Sequence, residues 1–201
     1  MSEFGVVVRR RRMCRSFRSD PVDREVLDGL VDLASRSPSA GKAQGWHLVV
    51  LEGPDTDRFW RHAFPPERRT GFRWPGLFAA PVIALALVDP QAYVERYGEA
   101  DKITTGLGTG AEAWPTPYWT VDGSMAVMTL LHAAEDHGLG ALFFAVFRGA
   151  EEVRRELSIP GHLQLLGAIA LGWPDGGEAA AGRSASRVRR DAAAIIHRGG
   201  W

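Results

Sequence analysis

The chain has a single cysteine, Cys14, so no intramolecular disulfide framework is open to it and a reducing compartment is expected. Excess charge is also missing. Lys plus Arg and Asp plus Glu each number 24, for a formal net charge of zero, whereas a nucleic-acid binder usually carries a basic surplus across the domain. No apolar run approaches the ~20 residues that span a bilayer. The basic N-terminus lacks the continuous apolar stretch and small-residue cleavage site of a secretory signal. Neither nucleic acid nor membrane is an expected partner, and the expected location is cytoplasmic. Catalytic signatures are scarce too. There is no Gly-x-Ser-x-Gly elbow, Walker loop or zinc motif. The six histidines pair neither with one another nor with cysteine at ligand spacing, so no metal site is expected. The letters of a dinucleotide fingerprint occur at Gly106-Leu107-Gly108-Thr109-Gly110-Ala111. No strand precedes them, and Pro115 and Pro117 fall where the helix should begin. With no nucleophile, metal or acid–base pair in view, catalysis would have to come from a bound cofactor.

What the chain does have is arginine, concentrated in one place: residues 9–18 hold six arginines in ten positions. Guanidinium groups packed this closely either fan into water or converge on an anion. The planar fork of arginine matches phosphate oxygens two at a time. A solvated basic face, a nucleic-acid patch and a phosphate pocket are the three possible uses, and the neutral total charge disfavours the second. Cys14, among these cations, is either a small buried residue or, if exposed, a reactive thiol of lowered pKa.

At 201 residues a single domain over 1–201 is expected. Val22, Val26, Leu27, Leu30, Val31 and Ala34 recur at helical spacing after an Asp20-Pro21 start, and this helix ends near Pro38. Strands are expected at 47–51, 81–88, 141–147 and 163–171, with short helices at 55–64, 90–97 and 151–157. Residues 81–88 are continuously apolar, as in a strand covered on both faces. Residues 122–137 leave almost no polar face, which predicts a central, buried helix closed by Gly138. Residues 65–75 read as irregular connection. Residues 98–118 read as a long loop of the kind that forms lids or mobile segments. Helices and strands mix without regular alternation, which gives an α+β class.

Arg11-Arg12-Met13-Cys14-Arg15-Ser16-Phe17 resembles the Arg-Arg-Ser-x-Arg-x-Phe block of the flavin-dependent nitroreductase family. The stretch from Pro38-Ser39-Ala40 to Lys42, Gln44 and Trp46 is similar to that family's Pro-Ser-x-x-Asn-x-Gln-Pro-Trp loop. The helix from Asp122 to Gly138-Leu139-Gly140 looks like its central helix, and Gly172-Trp173-Pro174 also fits. The resemblance implies a mixed, mainly antiparallel sheet flanked by helices, in an obligate homodimer with FMN in each of two interfacial sites. The tail from about 176 to 201 would then pack on the partner subunit.

In that family's pattern Arg11, Arg12, Met13 and Arg15 would grip the phosphate and ribityl chain. Arg11 and Arg15, four apart, would stand on one side of a helix turn, leaving Arg9, Arg10 and Arg18 solvated or paired. Pro38, Ser39, Ala40, Lys42 and Gln44 would approach the partner's flavin, and Phe143 and Phe144 would lie near its ring. Arg187, Arg189 and Arg190 are the candidates for a second phosphate contact. Met13 replaces a serine hydroxyl, and Lys42 places a charge where asparagine is usual. The implied activity takes hydride from NAD(P)H and reduces nitroaromatic, quinone or similar small-molecule acceptors by a ping-pong mechanism. Trp114, Tyr118 and Trp119 either wall the acceptor site or pack an interface. The alternatives are a different chemistry or donor on this fold (deazaflavin-linked, flavin-fragmenting or dehalogenating) or a non-catalytic flavin-binding protein.

Overall fold

The computed structural model describes residues 2–176 and 186–201. Its centre is a four-stranded sheet of order β1-β2-β4-β3, formed by β1 (Trp46–Glu52), β2 (Val82–Val88), β3 (Gly140–Phe144) and β4 (Gln164–Gly172). Every neighbouring pair is antiparallel. Among the described residues a single parallel bridge, Met13 to Ala141, supplies the mixed character that was expected.

Strand β2 explains the layering. Successive strand side chains point to opposite faces. Val82, Ala84 and Ala86 enter one core with Leu27, Leu30 and Ala34 of α2 (Arg24–Ser35) and Val127, Leu130 and Ala134 of α5 (Tyr118–Asp136). Ile83, Leu85 and Leu87 enter the other, with Phe59 and Trp60 of α3 (Thr56–Ala63) and Val153 of α6 (Ala150–Glu156). The strand is therefore apolar at every position because both faces are covered. Gly123 lets α5 approach the sheet, since a Cβ there would overlap Val88 and Leu166.

Five expectations are corrected. First, residues 11–15 are not a helix turn. Helix α1 (Glu3–Arg10) ends at Arg11, and the chain then runs extended, donating from Cys14 N to Ala141 O at 2.9 Å. Second, α2 starts at Arg24 with Asp23 as N-cap, not at Asp20-Pro21. Phe17 is bridged to Pro174, and Arg18 N donates to Trp173 O at 2.9 Å, which keeps that stretch extended. Third, α5 begins at Tyr118, and only one of its faces is buried; Tyr118, Val121 and Met128 are exposed on the other. Fourth, residues 98–117 are short 3-10 turns packed on α4 (Pro90–Gly98) and pinned by buried Trp114, not an open lid. Fifth, the strand expected at 141–147 stops at Phe144.

Part of the tail expected to pack on a partner lies outside the described residues. From Ser186 to Trp201 every residue is exposed. Among the described residues no helix is long and apolar enough to cross a membrane.

Candidate functional site

The parallel bridge at Met13 decides where the arginines go. Two residues further along the extended chain, Arg15 runs beside the end of β3. Arg15, Phe143 and Phe144 line one cavity of about 610 Å³. The Arg15 guanidinium lies 5.2 Å from the centroid of Trp74, and its Nη1 donates to Met13 O at 3.1 Å. The rest of the lining is rich in aromatics, with Phe64, Phe72, Phe78 and Trp60, the last stacked 6.0 Å from Phe144.

The other arginines of the block separate by role. Arg10 is ion-paired to Glu135 at 2.6 Å and Arg18 to Asp20 at 3.3 Å. Arg12 is exposed and donates from Nη1 to the carbonyls of Arg9, Arg10 and Arg11, closing the C-terminal end of α1. Arg11 differs. Its Nε and Nη1 are buried and have no acceptor. Burial first, and then the charge of Arg11, holds the nearby His132 imidazole below its ordinary range. Of the two readings of Cys14, the structure favours the buried, unreactive one. Its thiol is partly buried and donates to Ser16 O at 3.1 Å, and burial pushes its pKa up despite the arginine neighbour.

The 38–44 stretch forms a second, separate constellation. Gly41, Lys42 and Gln44 are all left-handed, at φ 59°, 60° and 55°. Two of the three are not glycine, and each such residue costs about 1–2 kcal/mol, so the surroundings must impose this backbone. Asp122, only 5% exposed, accepts from Ala40 N at 2.7 Å and from the Tyr93 hydroxyl at 2.8 Å. Burial, and after it the Asp122 hydrogen bond, drives the Tyr93 hydroxyl well above the usual tyrosine range. Gln44 N donates to Ser39 Oγ at 2.8 Å. Arg96 Nε donates to Gly41 O at 2.8 Å, and its fork grips Asp101 through two further 2.8 Å bonds. A Cβ at Gly41 would come within 2.7 Å of the Tyr97 ring, so glycine is required there by contact as well as by φ. Pro38, Ser39, Lys42 and Gln44 line a cavity of about 450 Å³ that Arg15 does not reach.

Of the remaining sequence candidates, Trp114 and Trp119 pack behind the 38–44 constellation, whereas Tyr118 and the tail arginines stand on the surface. Trp114 and Trp119 are buried in a cluster with Tyr93, and their indole N–H groups donate to Leu107 O and Gln164 Oε1, each at 3.0 Å. Trp114 holds the 98–117 segment against α4, Trp119 ties α5 to β4, and both expose almost no face. Tyr118 is 43% exposed. Arg187, Arg189 and Arg190 stand on the exposed tail. Sequence reasoning missed Asp122, Tyr93 and Arg96 as holders of the 38–44 loop, and the 60–78 aromatic wall. The wall's one signal was the density of aromatics and arginines from the end of the expected 55–64 helix through the 65–75 connection and just past it.

Solved structures show which fold this is. It is that of the nitroreductase family protein from Streptococcus pneumoniae TIGR4, with TM-score 0.75 and 18% identity over 98% of this chain and 100% of that one. The sequence model of the Nitroreductase family matches residues 8–173. The chain belongs to the nitroreductase family. Curated relatives differ in their named reactions. A 5,6-dimethylbenzimidazole synthase from Rhodospirillum rubrum is 30% identical over 178 residues, covering 82% of this chain and 78% of that protein. A 4-nitrobenzoate reductase from Nocardioides sp. is 28% identical over 200 residues, covering 86% and 81%.

Proposed function

We propose that the protein is an FMN-dependent oxidoreductase that takes hydride from NAD(P)H and reduces nitroaromatic, quinone or related small acceptors. The observation that carries the reading is the Arg11 guanidinium, buried with two donors unpaired. A buried unpaired donor costs about 1–3 kcal/mol, a cost that an anion would remove. The remaining residues fit the same cofactor. Arg15, Phe143 and Phe144 offer one cation and a flat apolar wall in one cavity. In this reading Arg11 holds the phosphate, and Arg15 with the two phenylalanines holds the ring. When bound, FMN supplies a two-electron carrier between nicotinamide and acceptor. For a nitro acceptor the first turnover consumes one NAD(P)H and one proton and yields a nitroso compound, NAD(P)⁺ and water. No protein nucleophile is needed, in keeping with the lack of one in the sequence. The protein's part is to bind, orient and exclude water.

The working unit we propose is a homodimer. Arg15 and the 38–44 loop line different cavities of one chain, so a loop from a second copy would complete each site. The exposed apolar positions of α5 and the exposed Val188, Ile195, Ile196 and Trp201 of the tail would be covered by that copy. On this reading Arg187, Arg189 and Arg190 have their targets on the partner. The test is FMN uptake by the purified protein, followed by NAD(P)H oxidation with and without an added nitroaromatic or quinone. Acceptor-dependent oxidation is the expected result. A protein that takes up no FMN defeats the reading. One that binds FMN but is not reduced by either nicotinamide moves it to a deazaflavin-linked or non-catalytic role.

A further inference from the structure

The 610 Å³ cavity is more specific than flavin binding requires. We infer that its outer half is the acceptor pocket, and that it selects an aromatic ring carrying a carboxylate or a similar anionic group. This rests on the proposed flavin site only through the shared wall of Phe143, Phe144 and Arg15.

Three observations converge. Part of the lining is a packed aromatic surface, with Phe64, Phe72 and Phe78 at mutual ring distances of 4.6–5.3 Å. Such a surface takes a further ring in offset or edge-on contact. Set in this apolar wall, Trp60 is 4% exposed and its indole N–H has no acceptor. A buried donor at a cavity wall is satisfied when a bound oxygen reaches it. The third observation concerns charge. Arg148 lines this cavity and also an adjoining one of about 340 Å³, whose other walls are Ala63, Phe64 and Arg68. Neither cavity has an Asp or Glu in its lining. Among the described residues, neither Arg148 nor Arg68 makes a side-chain ion pair. Arg69 stacks 4.7 Å from the Phe78 centroid and leaves its Nη2 buried without an acceptor. An aromatic slot that ends in a cationic annex suits a flat ring with a negative group at one end. A neutral quinone would use the slot and leave the annex unused.

The test uses unreactive ligands, so binding is read without turnover. Benzoate and its neutral isostere benzamide are titrated into FMN-loaded protein, following tryptophan fluorescence, with flavin content measured separately by absorbance. Benzoate is expected to bind about tenfold tighter or better at low salt, the preference shrinking as salt is raised. Arg68→Gln with Arg148→Gln changes two exposed side chains, and should bring the ratio within about threefold while flavin stays bound. Trp60→Phe should weaken both ligands equally, because it removes an N–H that does not distinguish them. Equal affinity for benzamide and benzoate in the wild type overturns the inference, and so does a preference that survives the double substitution. Failure to take up FMN is a separate reading from the absorbance. It defeats the proposed function without being mistaken for loss of the anion preference.

Discussion

Asp122 is where the geometry makes its sharpest demand. Its Oδ2 is the common acceptor for Ala40 N and the Tyr93 hydroxyl, and the side chain is 5% exposed. Asp122→Ala strands both donors inside the protein, at about 1–3 kcal/mol each. Some of this comes back, because Lys42 and Gln44 could leave the left-handed region and recover about 1–2 kcal/mol apiece. At mid-range values a net loss of about 1 kcal/mol remains if both residues relax and about 4 kcal/mol if neither does, which for a chain of this length lowers the melting midpoint by roughly 2–15 °C. Asp122→Asn keeps an oxygen acceptor and should cost about 1 kcal/mol. Tyr93→Phe removes one donor only, and a double-mutant cycle with Asp122→Ala isolates the pair. The two assays are thermal unfolding of the FMN-free protein and FMN affinity by fluorescence quenching. If the loop serves a flavin site, affinity should fall at least about tenfold in the Ala variant, equivalent to about 1.4 kcal/mol. An Ala variant that melts within about 2 °C of wild type and binds FMN equally well would show that Asp122 does not hold the loop.

Other outcomes follow from the same structure. Arg11→Ala combined with Arg15→Ala removes two charge-assisted contacts of about 1.5–3 kcal/mol each. FMN affinity should drop a hundredfold or more, and unchanged affinity would return the block to a plain charged surface. Lys42→Met removes a cation worth about 1 kcal/mol to a nearby negative charge, lowering the flavin potential by roughly 20 mV. A redox titration that finds no change removes Lys42 from the site. Cys14, with its thiol pKa raised mainly by burial, should react with a disulfide reagent at pH 8 far more slowly in native than in denatured protein. Prompt native labelling would contradict that environment. His132 is held neutral by burial and then by Arg11. Its contribution to stability is complete above the unfolded pKa of about 6.5 and declines as pH falls below it, because the unfolded chain takes the proton first. Melting curves of the FMN-free protein between pH 8 and 5 should show this slope, and His132→Gln should flatten it.

The parts of the fold legible in the sequence are those fixed by local pattern. Residues 82–88 read as a doubly covered strand because each alternate residue meets its own core. The left-handed Gly138, at φ 76°, follows α5 as a glycine helix stop should. The arginine block was misread because spacing four fits a helix turn, whereas its real conformation is set by pairing with Ala141, more than a hundred residues away. Asp122 was read only as the first residue of the central helix. Its actual partner, Ala40 N, is 82 residues distant, and no local rule reports that. Trp114 and Trp119 carry the same ambiguity: an aromatic in a turn-rich stretch serves packing and stacking equally well in sequence. The 60–78 wall was hidden because its four rings share no period.

Helix α5 ties these features together. Its inner face carries Asp122, which fixes the left-handed loop, and Gly123, which seats the helix on the sheet. Its outer face leaves Tyr118, Val121 and Met128 exposed in a single chain. An apolar helix face of this kind gains about 25 cal/mol for each Å² it buries, so a second copy is the natural cover in the proposed dimer. One rigid helix would then set both where the subunits meet and where the loop stands. Under that proposal flavin uptake and subunit pairing are a single linked equilibrium, because a ligand held by both copies stabilises the pair by mass action. The left-handed backbone at Lys42 and Gln44 fits this logic. A loop that has to serve a site on another chain cannot be positioned by that site before the chains meet, so it is held in place beforehand by Asp122, Tyr93 and Arg96 of its own chain.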